Sequence, residues 1–243
     1  MKTISIITVC YNAEQEIERT LQSVIGQQGF EQQIEYIVID GHSSDGTLTK
    51  IEPYQQHIAQ IVSEPDRGIF DAMNKGARLA TSPWILFMNA GDTFMDATTL
   101  ASLQLPVQTP DHIIYGDSTR VYADGRQELR KADPFFNKRG CVPGIGICHQ
   151  SIILPRLWMT EHPYQWQLYP HCADFEQMLS FYNEGRRFQY VDRSLCLYSY
   201  GEGFSSSKQN IRKVLNENAA ITGLKGSWTY YKQLIRLWLS SLK

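Results

Sequence analysis

Through its first hundred residues the chain alternates short apolar runs with stretches whose apolar residues recur every three or four positions. Ile4 to Val9 is an apolar run of strand length. After Asn12, placed to cap a helix, Ile17, Leu21, Val24 and Ile25 share one helical face. Tyr36 to Ile39 predicts a second buried strand, followed by a polar Gly-rich turn in which Asp45 suits the cap of a helix from Thr47. Ile61-Val62 predicts a short third strand. Phe70, Met73, Ala77 and Ala80 line one side of the next helix, and Trp84 to Met88 predicts a fourth strand. This alternation predicts an α/β fold, a doubly wound, largely parallel sheet.

Beyond residue 100 the pattern loosens. Ile113-Ile-Tyr115 reads as a strand and Val121-Tyr-Ala-Asp-Gly-Arg126 as a hairpin with an Asp-Gly turn. Pro134 to Gly146, rich in Gly, Pro, Phe and basic residues, predicts a loop over a site. Cys148 to Leu154 returns to strand. Phe175, Met178, Leu179 and Tyr182 form a helix face, and Leu195 to Tyr198 a last strand. With no repeat or low-complexity linker, one domain over 1–225 is expected. Residues 1–100 would bind a nucleotide and 101–225 an acceptor, with an amphipathic helix over 226–243.

Composition narrows the class. The 42% hydrophobic and 20% charged content is that of a globular protein. A net charge of −2 offers no basic stripe for nucleic acid. Five scattered cysteines (Cys10, Cys141, Cys148, Cys172, Cys196), none in a Cys-x-x-Cys pair, favour reduced thiols over zinc or disulfides. The N-terminal apolar run is too short for a signal peptide, and no stretch supplies about 18 consecutive apolar residues. The expectation is a cytoplasmic protein, peripheral on the inner face of the plasma membrane through residues 226–243. In that segment Tyr231, Leu234, Ile235, Trp238 and Leu242 would share a face, with Lys225, Lys232, Arg236 and Lys243 interspersed. The alternative for this face is docking on its own domain or on a partner subunit.

Three carboxylates stand out: Asp40 and Asp92 where apolar runs end, and Asp174 where a helix opens. In open α/β sheets, ligands bind at the carboxyl ends of the strands. Asp40 can accept from a base or ribose, with Gly41 and Gly46 letting backbone approach closely. Asp66 and Arg67 precede a helix that carries Asn74 and Lys75, a natural phosphate environment. In Asn89-Ala-Gly-Asp92, Asp92 can supply one of the one or two carboxylates that Mg²⁺ or Mn²⁺ on a diphosphate requires, and Asn89 a hydrogen bond. His149-Gln150 can hold substrate hydroxyls. Glu176 competes with Asp174 as a base but points elsewhere around the helix. Each feature also has a purely structural alternative: a capped turn, a solvated helix face, a buried histidine. His162 and His171 lack metal spacing and read as structural. Gly41-x₄-Gly46 lacks the Lys-Ser/Thr of a P-loop, and no Gly-x-Gly-x-x-Gly follows the first strand.

In order, Ser5-Ile-Ile-Thr-Val-Cys-Tyr-Asn12, Val38-Ile-Asp-Gly-His-Ser-Ser-Asp-Gly-Thr47, Glu64-Pro-Asp-Arg-Gly-Ile-Phe-Asp-Ala-Met-Asn-Lys-Gly76 and Phe87-Met-Asn-Ala-Gly-Asp92 precede Cys148-His-Gln-Ser151, Ala173-Asp-Phe175 and Gly203-Phe-Ser205. This series resembles the family 2 glycosyltransferases of the GT-A fold. It is most similar to the branch making bacterial exopolysaccharides, the colanic-acid enzymes included. The resemblance implies a Rossmann-like sheet and inverting transfer from a nucleotide-diphosphate sugar to a glycan or lipid-linked acceptor. It further implies nucleotide binding by Thr8, Tyr11, Asp40, Asp66, Arg67, Asn74, Lys75 and Asn89, and acceptor binding by His149 and Gln150. Asp92 would hold Mn²⁺ or Mg²⁺, and Asp174 would be the catalytic base. Where many relatives carry an acidic run, this chain has Asn89-Ala-Gly-Asp92. Two competing classes remain: a nucleotidyltransferase, which would want a basic Gly-rich loop where Tyr11-Asn-Ala-Glu14 stands, and a catalytically silent sugar-nucleotide or glycan-binding module.

Overall fold

Four parallel strands carry the first half: β1 (Ile4–Cys10), β2 (Ile34–Asp40), β3 (Gln60–Ser63) and β4 (Trp84–Phe87), in the spatial order β3-β2-β1-β4. The computed structural model from which this follows describes residues 2–106, 110–132, 148–199 and 210–228, with 231, 232 and 235. The expected loop over 134–146, Cys141, Gly203–Ser205 and most of the C-terminal segment lie outside them. Helices α1 (Ile17–Ile25), α2 (Thr47–Ile51) and α3 (Ile69–Leu79) connect the strands. Register pairs Cys10 with Asp40 and Asp40 with Ser63, so three strands end level with one another. Because the order reverses about β1, a crevice opens at those carboxyl ends, where α/β sheets bind ligands.

The strands read as continuous apolar runs because both faces are covered. Ile7, Ile37, Ile39, Ile85 and Phe87 pack against Phe70, Met73 and Ala77 of α3. Ile4, Ile6, Val38, Trp84 and Leu86 pack against Ile17, Leu21 and Val24 of α1. Gly76 lets α3 lie this close, since a Cβ there would sit 2.4 Å from the Ile7 Cγ2.

The second half extends the sheet with mixed polarity. It comprises β5 (Thr93–Phe94), α4 (Thr99–Ser102), β6 (His112–Val121), β7 (Gln127–Arg130), β8 (Ile152–Pro155), α5 (Arg156–Glu161), α6 (Ala173–Asn183), β9 (Arg187–Ser199) and α7 (Ile211–Ile221). The path continues β4-β8-β6-β9-β5, with β7 on β6. The β6–β7 hairpin turns through Asp124-Gly125, the glycine at φ +81°. α5 packs Met159, and α6 packs Met178 and Phe181, onto the α3 side of the sheet.

Four local expectations need correction. Asn12 does not cap α1, which starts behind Glu16 without a side-chain cap; Asn12 adopts φ +47° and holds the adjacent loop instead. The strand expected from Cys148 begins only at Ile152, because residues 149–151 wind into a 3-10 turn that aims His149 and Gln150 back towards β4. On α6 the buried face comprises Ala173, Gln177, Met178, Leu179 and Phe181, not Phe175 and Tyr182. The last strand runs from Arg187, eight residues before the expected start.

Candidate active site

At the carboxyl ends of β1 and β2 two loops interlock. The Asn12 N–H donates to Ser43 Oγ (2.8 Å), the Ser44 N–H to Asn12 Oδ1 (2.9 Å), and the Ala13 N–H to Thr47 Oγ1 (2.8 Å). Asp40 anchors this arrangement: its carboxylate accepts from the Ser43 N–H (3.0 Å), the Ser43 hydroxyl and the Ser63 hydroxyl (2.6 Å), and the residue is wholly buried. The carboxylate expected to meet a base or ribose thus holds the loop at the strand ends. Thr8 is likewise buried inside the sheet, its hydroxyl against Tyr36 Oη at 3.0 Å, so it cannot face a nucleotide. Its strand parity turns it towards α1.

Tyr11 and Asp66 do line the crevice. Tyr11 is 65% exposed. Asp66 accepts from the Gly68 N–H at 2.9 Å, while its other oxygen lies 2.5 Å from where a Cβ on Gly41 would sit, so this contact requires glycine. Arg67 projects into solvent, its guanidinium 4.4 Å from the Trp166 ring centre and paired with Asp71 at 3.2 Å. Lys75 reaches Glu64 (2.9 Å) and the Pro65 carbonyl (2.7 Å), bracing the loop that carries Asp66. Asn74, buried, exchanges two 3.0 Å hydrogen bonds with the backbone of Tyr164.

A second group gathers beyond β4. Asn89 Nδ2 lies 2.8 Å from His149 Nε2, and His149 Nδ1 lies 3.5 Å from Asp174 Oδ2. Next to it, Gln150 Nε2 donates to Asp92 Oδ2 at 2.5 Å. Three separate stretches, 89–92, 149–150 and 174, thus meet in one place. Gln150, the expected acceptor contact, is buried and holds Asp92. Burial pushes the Asp92 carboxyl up to about 6, against the pull of Gln150, His149 and Arg19. For His149 burial acts downward, but the adjacent Asp174 carboxylate outweighs it and the net shift is upward. Glu176 lies nearer His162, and burial raises its carboxyl.

Sequence reading missed what holds the Asn89–Asp92 turn. Thr20 of α1 accepts from the Gly91 N–H (2.9 Å) and donates to the Asp92 carbonyl (2.7 Å). Gly91 needs its φ of +97°, and Arg19 sits against it while donating to Ser199 at 3.0 Å. The one available signal was Thr20 itself, a polar residue in phase with Ile17, Leu21 and Val24.

The donor set fits a divalent cation shared with a ligand. The buried Asn89 Oδ1 has no partner and stands beside a carboxylate whose burial costs energy. Among the described residues no three His, Cys, Asp or Glu side chains could enclose a metal alone. Most of the ligands would come from phosphate and water, as Mg²⁺ prefers.

Residues 5–173 match the model of glycosyl transferase family 2. The chain belongs to that family. It is 31% identical over 184 residues to a PGL/p-HBAD biosynthesis glycosyltransferase of Mycobacterium bovis, an alignment covering 71% of this chain and 68% of that one. Its fold is similar to S. aureus TarS in complex with UDP-GlcNAc (TM-score 0.67, 19% identity, 91% of this chain and 66% of that one). It is also similar to the mannosyltransferase PcManGT of Pyrobaculum calidifontis in complex with GDP-Man and Mn²⁺ (TM-score 0.68, 16% identity, 89% and 63%). The chain thus spans about two thirds of the length of these proteins. As a family 2 glycosyltransferase it has the α/β architecture, with a parallel first half, that its sequence predicted. No helix among the described residues is long and apolar enough to cross a membrane.

Proposed function

We propose that this glycosyltransferase moves a sugar, with inversion, from a nucleotide-diphosphate donor to a hydroxyl of a glycan or lipid-linked acceptor in bacterial cell-surface polysaccharide synthesis. The observation that carries the reading is the meeting of Asp174, His149, Asn89 and Asp92 at the edge of the crevice. The nucleotide would lie over Tyr11 and Asp66, and Arg67 would face its phosphates. The acceptor hydroxyl attacks the anomeric carbon opposite the departing diphosphate, and Asp174 takes its proton. His149, 3.5 Å away, keeps that carboxylate oriented. Asp92 and Asn89 would hold Mn²⁺ or Mg²⁺, which when bound neutralises charge on the leaving diphosphate.

Support for the donor class comes from the nucleotide sugars bound by TarS and PcManGT. The mycobacterial relative, a biosynthetic glycosyltransferase, supports the reaction class. The test is a thermal-shift series with UDP, GDP, CDP and dTDP, each with and without Mn²⁺. A nucleotide at 100 times its dissociation constant should stabilise the fold by ~2.7 kcal/mol. One nucleotide is expected to stand out, and only with the cation; silence from all four would defeat the donor assignment. Asp174→Asn is expected to keep that shift while losing turnover by ~10²–10⁴-fold, the usual worth of a general base. Normal turnover in the variant would remove Asp174 from the mechanism.

A further inference from the structure

The segment that delivers Asp174 contains no strand, yet it is pinned at both ends. Its start is fixed by the pair of hydrogen bonds between Asn74 and Tyr164. Its end is fixed by α7. Glu217 accepts from the His171 N–H with one oxygen (2.9 Å) and lies 2.6 Å from His171 Nδ1 with the other. One turn earlier in α7, the Val214 carbonyl receives the Cys172 thiol at 3.6 Å. Both members of the His171–Glu217 pair are largely buried, with side chains 9% and 15% exposed. Asp174 follows two residues after Cys172, in the first turn of α6.

Core packing does not account for this helix. Of its eleven residues, only Ala219 is fully buried, with Val214, Leu215 and Ile221 half-buried. α7 also lies outside the stretch that matches the family, which ends at residue 173. A helix with so little apolar burial nevertheless directs its only carboxylate at the backbone just ahead of the base.

From this we infer that Glu217 is a positioning residue for Asp174, and that α7 is the element through which this chain sets the orientation of its base. The inference rests on the reading of Asp174 as the base. Glu217 fixes the backbone and ring of His171, which fixes where α6 begins. The start of α6 in turn decides how the Asp174 carboxylate meets His149 and the incoming hydroxyl. Glu217 acts at the α6 end of the segment, whereas Tyr164 and Trp166 at its other end meet Asn74 and Arg67 on the nucleotide side.

The test uses the full chain with Glu217→Ala and Glu217→Gln. Turnover is read as release of nucleoside diphosphate from UDP-GlcNAc or GDP-mannose with Mn²⁺. On the same proteins, hydrogen exchange is followed in a peptide covering residues 172–178. Glu217→Ala is expected to speed exchange in that peptide and to lower kcat by about 10- to 100-fold, the order that an ångström of misplacement costs. KM for the donor and the nucleotide-induced thermal shift should stay unchanged. Glu217→Gln should recover part of the loss, because its amide oxygen still accepts from the His171 N–H. In an Asp174→Asn background, Glu217→Ala should have no further effect on kcat, the non-additivity of two groups acting as one.

Unchanged exchange and kcat in Glu217→Ala would overturn the inference. So would a loss that falls equally on donor binding, since that marks general support of the fold. Should Asp174→Asn turn over normally, the base assignment fails separately, and the exchange measurement still decides whether Glu217 holds the start of α6.

Discussion

Asp92 shows how one buried carboxylate connects stability to function. Its carboxyl is displaced from 3.8 to about 6, chiefly by burial. The folded protein therefore binds a proton more tightly there than the unfolded chain does. Between pH 4 and 6 the folded state holds the extra proton, so stability falls as pH rises through that window. Two units correspond to about 3 kcal/mol at most. In EDTA, urea unfolding of the wild type should show this decline, while Asp92→Asn should lose the slope and be the more stable protein at pH 7. Mn²⁺ with the preferred nucleotide should then stabilise only the wild type. An equal slope in both proteins would show that Asp92 titrates as an ordinary surface acid. The places of Asp92 just after a strand and of Asp174 at the start of a helix were legible in the sequence, because apolar runs and faces mark those ends. Thr8, Asp40 and Asn74 were legible only as polar positions, for a physical reason. A polar residue in a motif announces a hydrogen bond but not its partner, and here the partners are Tyr36, Ser43 with Ser63, and Tyr164.

At the scale of elements, β1 to β4 and the helices between them could be read directly, because strands covered on both faces and helices covered on one leave different periodicities. The second half was harder to read. β5 is two residues long and the α4 helix four, too short to carry a period. β9 alternates exposed and half-buried side chains only over its first four residues and is otherwise mostly half-buried, so only its fully buried pair Leu195-Cys196 stood out. The 3-10 turn at 149–151 was invisible for another reason: its conformation follows from contacts with Asn89 and Asp92, about sixty residues away in sequence. Local propensity cannot encode a bond of that span. The same limit hid Glu217, whose partner His171 lies 46 residues earlier. In this chain the parallel framework of β1 to β4 was written locally, and the cluster around Asp92, His149 and Asp174 was written in long-range polar contacts.

For the whole molecule, the distribution of charge and apolar surface sets one end apart. The last 26 residues carry Lys225, Lys232, Arg236 and Lys243 and no acid, so in a chain of net charge −2 the preceding residues carry −6. Within that segment Trp228, Tyr231 and Ile235 are 68%, 50% and 50% exposed, at the three- and four-residue spacing of one helix face. Lys232 lies over the Trp228 ring at 5.6 Å. Aromatic and aliphatic groups left in water beside cations suit the interface of an anionic bilayer, where each Lys or Arg contributes about 1 kcal/mol. The acidic remainder would be repelled from the same surface, which would orient the molecule with this segment towards the lipid. A lipid-linked acceptor would then be met in two dimensions rather than three. We expect the full chain to co-sediment with vesicles containing phosphatidylglycerol, less with purely zwitterionic vesicles and less again as salt is raised. Deleting 226–243 should abolish co-sedimentation and leave the nucleotide-induced thermal shift intact, because the crevice at β1–β3 lies in a different part of the chain. A full chain that ignores anionic vesicles would instead assign the exposed face to protein contact, and the acceptor would have to reach the enzyme from solution.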